Sequence, residues 1–273
     1  MPAVVSTLAL ERPRSLKAAL ALLASEPALT PIAGCTDVYV GLHFGTLRER
    51  RFIDLWNLKE LRGISVDREV LRIGALSTYT EIIGSKLVQK RVPMLVAASR
   101  EVGGAQIQNR GTLGGNVANA SPAGDTLPVL AAANARIVLR SQAGTRTVPF
   151  DTFYTGYRQS VRRPDELIVA IEIPRIDGRQ WWRKVGTRRA QAISKIMMAA
   201  VRGPETRIAV GSVGPTVVLA RNAAAVLDGG GSIADAQTAL LKEITPIDDV
   251  RSTREYRAKV AANLLESFWT STP

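Results

Sequence analysis

The apolar positions along the first half of the chain alternate between two periods. Residues 15–26 (SLKAALALLASE) place Leu16, Ala19, Leu20 and Leu23 at i, i+3, i+4 and i+7. That spacing gathers them on one helical face, and Ser15 is placed to cap the first turn, so an amphipathic helix is predicted. LTPIA reads as a short buried strand running into GCTD, and VYVGLHFGTL as a second helical stretch. RFIDL (51–55) and VLRIGA (70–75) are strands by alternation and β-branching. Thr78 and Glu81 form a T-x-x-E capping box that opens another helix. Residues 87–102 are helical again, with Pro93 near a turn, and RIVLR (136–140) is a strand.

From about residue 166 the texture changes. ELIVAIEIP, WWRKVGT, AISKIMMAAVR and TRIAVGSVG read as four consecutive strands, a meander with Gly and Pro turns. Two helices follow, VVLARNAAAVL and 252–268, separated by the turn DGGGS (228–232). The second opens on a capping box, Ser252 with Glu255, and puts Tyr256, Val260, Leu264 and Phe268 on one stripe. Strands followed by helices predict an α+β domain here.

Between these halves lies GGAQIQNRGTLGGNVANASPAGD (103–125), rich in Gly, Asn, Ser and Thr, with little periodicity of either kind. It carries few charges and is flanked by apolar elements, the next being the helix TLPVLAAANA, which Asp125 could cap. A long small-residue segment inside a compact domain is typically functional. Gly114 and Gly115 would let the backbone lie against a flat or phosphorylated ligand, with short polar groups from Thr112, Asn116, Asn119, Ser121 and Asp125 around it. A second small-residue turn, PIAGCTDV (31–38), runs from strand to helix, which suits a diphosphate approached by backbone N–H groups and a helix N-terminus.

Composition narrows the chemistry. With one cysteine, Cys35, and one histidine, His43, the chain has too few ligands for a structural zinc, an iron–sulfur cluster or an internal disulfide, and no metal site is expected. No G-x-G-x-x-G, G-x-x-x-x-G-K-[ST] or G-x-S-x-G motif occurs, and no catalytic residue is assigned. Any chemistry must come with an organic cofactor. The net charge of +12 is scattered over groups such as Arg48/Arg50/Arg51 and Arg183/Lys184/Arg188/Arg189, without a nucleic-acid-binding signature. An acidic partner subunit or an anionic cofactor fits it better than nucleic acid. No apolar run approaches the ~20 residues of a bilayer span, and the first residues lack the pattern of a secretory leader. The expectation is a cytoplasmic protein, or one exported with a partner that carries the signal.

PIAGCTDV together with QIQNRGTLGGNVANASPAGDTLPVLAAANA closely resembles the FAD-binding subunit of the xanthine dehydrogenase family, the molybdenum hydroxylases. FIDLWNLKELRGI, LRIGALSTYTEI, KVGTRRAQAISKI and STREYRAKVAANLL follow in similar order, so the resemblance covers almost the whole chain. It implies a vanillyl-alcohol-oxidase-type FAD-binding domain over 1–165, with two α/β subdomains of about 1–57 and 58–165, and an α+β domain over 166–273. By motif position, Ile32, Ala33, Gly34, Cys35, Thr36, Asp37 and Val38 would line the pyrophosphate. Thr112, Gly115, Asn116, Asn119, Ser121 and Asp125 would hold the ribityl–diphosphate and nucleoside. Lys195 resembles the family's basic residue near the flavin ring, where a cation stabilises negative charge on the reduced cofactor. Cys35 stands where that family usually has glycine. The resemblance also implies partners: a molybdopterin-binding large subunit and a [2Fe–2S] small subunit, with electrons leaving to NAD⁺ or another acceptor. A self-contained FAD oxidase or dehydrogenase and a flavin-free basic assembly subunit are the other readings.

Overall fold

The computed structural model describes residues 7–273; residues 1–6, part of the stretch read above for a leader, lie outside the described residues. The chain opens with β1 (Ala9–Glu11), α1 (Leu16–Ser25), β2 (Thr30–Ile32), α2 (Thr36–His43) and β3 (Arg51–Asp54). The three strands form a parallel sheet in the order β1–β3–β2. The Ser15 hydroxyl accepts from Ala18 N–H at the start of α1, as the sequence predicts. Leu16, Ala19, Leu20 and Leu23 are all buried. Each such leucine contributes about 1.5–3 kcal/mol. They pack with Ile53, Leu55, Val138 and Val169, so α1 covers one face of the next sheet.

That sheet is five-stranded and antiparallel. It combines β4 (Ile64–Asp67) and β5 (Val70–Gly74) with β6 (Arg136–Ser141), β7 (Gly144–Pro149) and β10 (Leu167–Ile173), in the order β4–β5–β10–β6–β7. Between β5 and β6 run α3 (Tyr79–Gly84), α4 (Lys86–Arg91), α5 (Pro93–Arg100), α6 (Ala105–Gln108), α7 (Leu113–Asn119) and α8 (Leu127–Ala132). A small hairpin, β8 (Tyr154–Gly156) with β9 (Gln159–Ser160), follows β7. The capping box at Thr78 and Glu81 is present on α3, with both reciprocal bonds made. The helical stretch 87–102 is split in two, because Pro93 disfavours a helical Val92, which sits at φ −138°, ψ 61°.

The last unit is a four-stranded antiparallel sheet, β11 (Arg179–Val185), β12 (Ile196–Arg202), β13 (Arg207–Gly211) and β14 (Val218–Leu219), backed by α9 (Arg221–Asp228), α10 (Ile233–Glu243) and α11 (Arg254–Ser271). Ile196, Met198 and Ala200 face these helices, while Ala199 and Val201 join the central core with α5 and α8. The layers therefore run from α1 through the five-stranded sheet, the α3–α8 helices and the four-stranded sheet to α9–α11.

Several expectations are corrected. ELIVAIEIP does not open the C-terminal meander: as β10 it pairs with β5 and β6 and belongs to the five-stranded sheet. Its continuous apolar run reflects burial on both faces, helped by a register shift between Ile168 and Ala170. β4 and β7 were not predicted, nor was α10, although Ser232 caps it through Asp235 N–H. VVLARNAAAVL divides into β14 and α9. α11 is capped by Thr253 rather than Ser252, whose N–H is held by the Asp249 carboxylate. Its buried stripe is Arg257, Ala261, Leu264, Leu265 and Phe268; Tyr256 is exposed. A buried arginine on that face hides the stripe from a search for apolar positions. No helix among the described residues is long and apolar enough to cross a membrane.

Candidate cofactor site

The two small-residue segments meet. Gly34 lies against the backbone of Arg110, at the entry to the second segment, and a Cβ at Gly34 would run into the Arg110 carbonyl. Further along, Asn119 Nδ2 donates to Asp37 Oδ1 at 3.0 Å, tying the end of α7 to the first turn of α2. Arg158, at the tip of the β8–β9 hairpin, donates to Asn119 Oδ1 at 2.8 Å and completes the tie. Residues 82 positions apart in the sequence thus form one wall.

Their backbones do different work. α2 starts at Cys35, which is in the left-handed region at φ 62°, ψ 11°, and its side chain makes no capping bond to the helix. Among the described residues, the N–H groups of Gly34, Cys35, Thr36, Asp37 and Val38 find no acceptor. No residue of α2 is buried. A helix start with its donors free is a ready anion site, with the dipole adding to it. Burial, reinforced by the Asp54 carboxylate and opposed by Arg110, pushes the Cys35 thiol up, away from the thiolate form.

The start of α7 is the opposite case. Leu113 N–H donates to Ser77 O, Gly114 N–H to Ala75 O, and Gly115 N–H to the Thr112 hydroxyl that caps the helix. A Cβ at Gly111 would stand 2.9 Å from the Tyr79 ring, and one at Gly114 2.6 Å from Ala75 Cβ. These glycines serve close packing on α3 and β5, and Gly114 lies against protein rather than open to a ligand. The segment read as non-periodic contains α6 and α7. Two groups pin its far end: Arg158 on the hairpin donates to Asn119 Oδ1, and Tyr154 OH donates to Val117 O at 2.8 Å.

The remaining expected residues are distributed as follows. Thr112 caps α7, and Asn116 Oδ1 accepts from the Thr126 hydroxyl at 2.7 Å. Ser121 Oγ accepts from Ala123 N–H. Asp125 does not cap α8; the helix begins with a proline in its first turn, which needs fewer donors satisfied. Instead Asp125 Oδ2 is 2.7 Å from Lys184 Nζ on β11, and Oδ1 accepts from Ser194 at 2.5 Å. Both members of the pair are buried, and Lys184 also donates to Glu101 O. Burial pushes the Asp125 carboxyl above its ordinary range, with Lys184 and Ser194 pulling the other way. Lys195 follows Ser194, the partner of Asp125, and its ammonium lies 4.9 Å from the centroid of the Tyr256 ring on α11. The cation locked onto Asp125 is Lys184, which no local motif marks; a lysine inside the apolar strand WWRKV is the available signal.

Comparison with known proteins bears on the fold and the family. Residues 6–176 match the FAD binding domain in molybdopterin dehydrogenase, and residues 182–272 the CO dehydrogenase flavoprotein C-terminal domain. The chain is 32% identical over 265 residues to a xanthine dehydrogenase FAD-binding subunit of Escherichia coli O157:H7, covering 90% of this chain and 89% of that one. Its fold superposes on a chain of the carbon monoxide dehydrogenase from Hydrogenophaga pseudoflava with a TM-score of 0.89 at 27% identity, covering 98% and 96%. Quinoline 2-oxidoreductase from Pseudomonas putida 86 gives 0.88 at 27% identity, covering 95% and 94%. The expected fold class holds, with a FAD-binding fold followed by a C-terminal α+β unit, and the free amides at the start of α2 suit the anionic part of a dinucleotide. The chain belongs to the FAD-binding subunits of the molybdenum hydroxylase family, and its cofactor is FAD.

Proposed function

We propose that this chain is the electron-transferring flavin subunit of a multi-subunit hydroxylase. In this reading it takes electrons from [2Fe–2S] clusters on a small subunit, reduced in turn by a molybdopterin-binding large subunit, and passes them to NAD⁺ or another acceptor. Bound FAD supplies the capacity to hold two electrons and release them to either kind of acceptor. Relatives named as medium chains of glyceraldehyde dehydrogenase and carbon monoxide dehydrogenase align over more than nine-tenths of this chain, which supports a subunit role. The chain's single cysteine and single histidine cannot ligate clusters of its own, so those stations belong to other chains.

The observation that carries the reading is the row of unpartnered amides from Gly34 to Val38. They would hold the diphosphate, with Ile32 and Ala33 at the end of β2 setting the approach. Asn119 and Asp37 would fix the distance between the two walls, and Thr112, Gly115, Asn116 and Ser121 would shape the second. Asp125 would act from below, fixed by Lys184. Lys195, beside Tyr256, would supply a cation toward the ring end. We place the division between the two units after β10 and before β11, where the two matched families also meet.

The test is to express the full chain, record its visible spectrum, and identify any flavin released on denaturation. FAD at near one per chain supports the site. A colourless folded protein that takes up no added FAD would refute it. Co-purification with a molybdenum-containing subunit and an iron–sulfur subunit separates the proposed role from that of a self-contained oxidase.

A further inference from the structure

Beside the free amides stands a cation with no ion-pair partner among the described residues. The Arg110 guanidinium carbon lies 3.7 Å from the centroid of the Trp56 ring, and that of Arg62 lies 4.6 Å from the same ring. Arg62 is already committed: it donates to Leu76 O and Trp56 O and lies 3.7 Å from Glu81. Arg110 is exposed and, among the described residues, has no carboxylate or carbonyl partner; it sits over the Trp56 ring. Its backbone carbonyl is the surface against which Gly34 packs, so its position relative to the turn is fixed.

The turn needs such a charge. Asp37 sits in the first turn of α2, and Asp54 lies close enough to push the Cys35 thiol up. Two carboxylates would repel a diphosphate that neutral amides attract. The thiol senses Arg110 with the opposite sign, which places that cation's field at the turn. A guanidinium seated over an indole with no hydrogen-bond partner keeps its donors available while losing rotamer freedom in advance.

We propose that Arg110, seated on Trp56, binds the diphosphate of the cofactor and is the charged half of the site whose neutral half is the 34–38 turn. This rests on the reading that the turn holds the diphosphate. The test titrates the full chain, its Arg110→Gln variant and its Trp56→Leu variant with FAD, followed by flavin fluorescence at low and high salt. Thermal unfolding without flavin serves as the control for folding. Arg110→Gln is expected to weaken FAD binding about tenfold, as for loss of one charge-assisted bond. It should unfold like the parent and flatten the salt dependence of affinity. Trp56→Leu should shift affinity the same way by a smaller factor. An unchanged FAD affinity in Arg110→Gln overturns the proposal, and so does a loss with the parent's full salt dependence. Failure of the parent chain to bind FAD at all overturns the underlying reading instead.

Discussion

The turn at 31–38 and the segment at 111–125 have the same composition signature and opposite uses. In the first, the helix donors are left free and the side chains of α2 stay out of the core. In the second, every early donor of α7 is consumed by Ala75, Ser77 or Thr112, and the glycines make room for protein. One segment leaves its backbone donors open; the other spends them on the protein and forms a rigid wall beside it. Small residues therefore mark where something comes close, and only the hydrogen-bond ledger says whether that is a cofactor or another strand.

The largest effect should come from unpinning the second segment at its far end. Lys184→Met leaves the Asp125 carboxylate buried with only Ser194 as donor, which costs about 3–5 kcal/mol. Asp125 is already raised in the folded state, and losing Lys184 raises it further. A folded value above the unfolded one means that protonation favours the fold. The variant should therefore come closest to its parent at acid pH and lose stability as pH rises through the folded value. Denaturant unfolding from pH 4 to 8 measures this; a pH-independent gap would show that the pair is not buried as described.

Next come two glycines that separate the segments. Gly34→Ala drives a methyl into the Arg110 carbonyl, and should cost about 3 kcal/mol and abolish FAD binding. Gly114→Ala meets Ala75 Cβ at 2.6 Å and Ala75 O at 2.7 Å, and should cost about 2 kcal/mol. Yet the fraction that folds should bind FAD with nearly the parent's affinity. Paired unfolding and flavin titrations check both. If Gly114→Ala lost affinity as severely as Gly34→Ala, the division of labour between the segments would be wrong.

What was legible in the sequence follows the range of the interactions. The Ser15 cap, the Leu16–Leu23 face and the Thr78–Glu81 box are each settled within a few residues, and the structure has all of them. The sequence marks β10 as a strand but not its neighbours, because its partners β5 and β6 lie far off in the chain. α7 was unreadable for a related reason. Gly and Asn are poor helix formers, and bonds from Ala75, Ser77 and Tyr154 hold the helix instead. Within the site, the amide turn was foreseen from local sequence. The Lys184–Asp125 and Arg110–Trp56 pairs were not, since each joins residues more than fifty positions apart.

The smallest effect bears on Cys35, the one side chain in the turn held at positive φ. A non-glycine residue there costs roughly 1–2 kcal/mol, while glycine returns about 0.5–1 kcal/mol through unfolded-state entropy. Cys35→Gly should thus stabilise the chain by at most about 1.5 kcal/mol. Its weak contact, Sγ to Ala33 O at 3.5 Å, is a minor loss. Because the donors from Gly34 to Val38 are backbone groups, FAD affinity should stay within about threefold of the parent, a change under 1 kcal/mol. Removing a half-buried thiol while keeping the amides makes this the cleanest separation of side chain from backbone in the site. A large fall in affinity would mean that the sulfur, rather than the turn's main chain, makes the contact that matters.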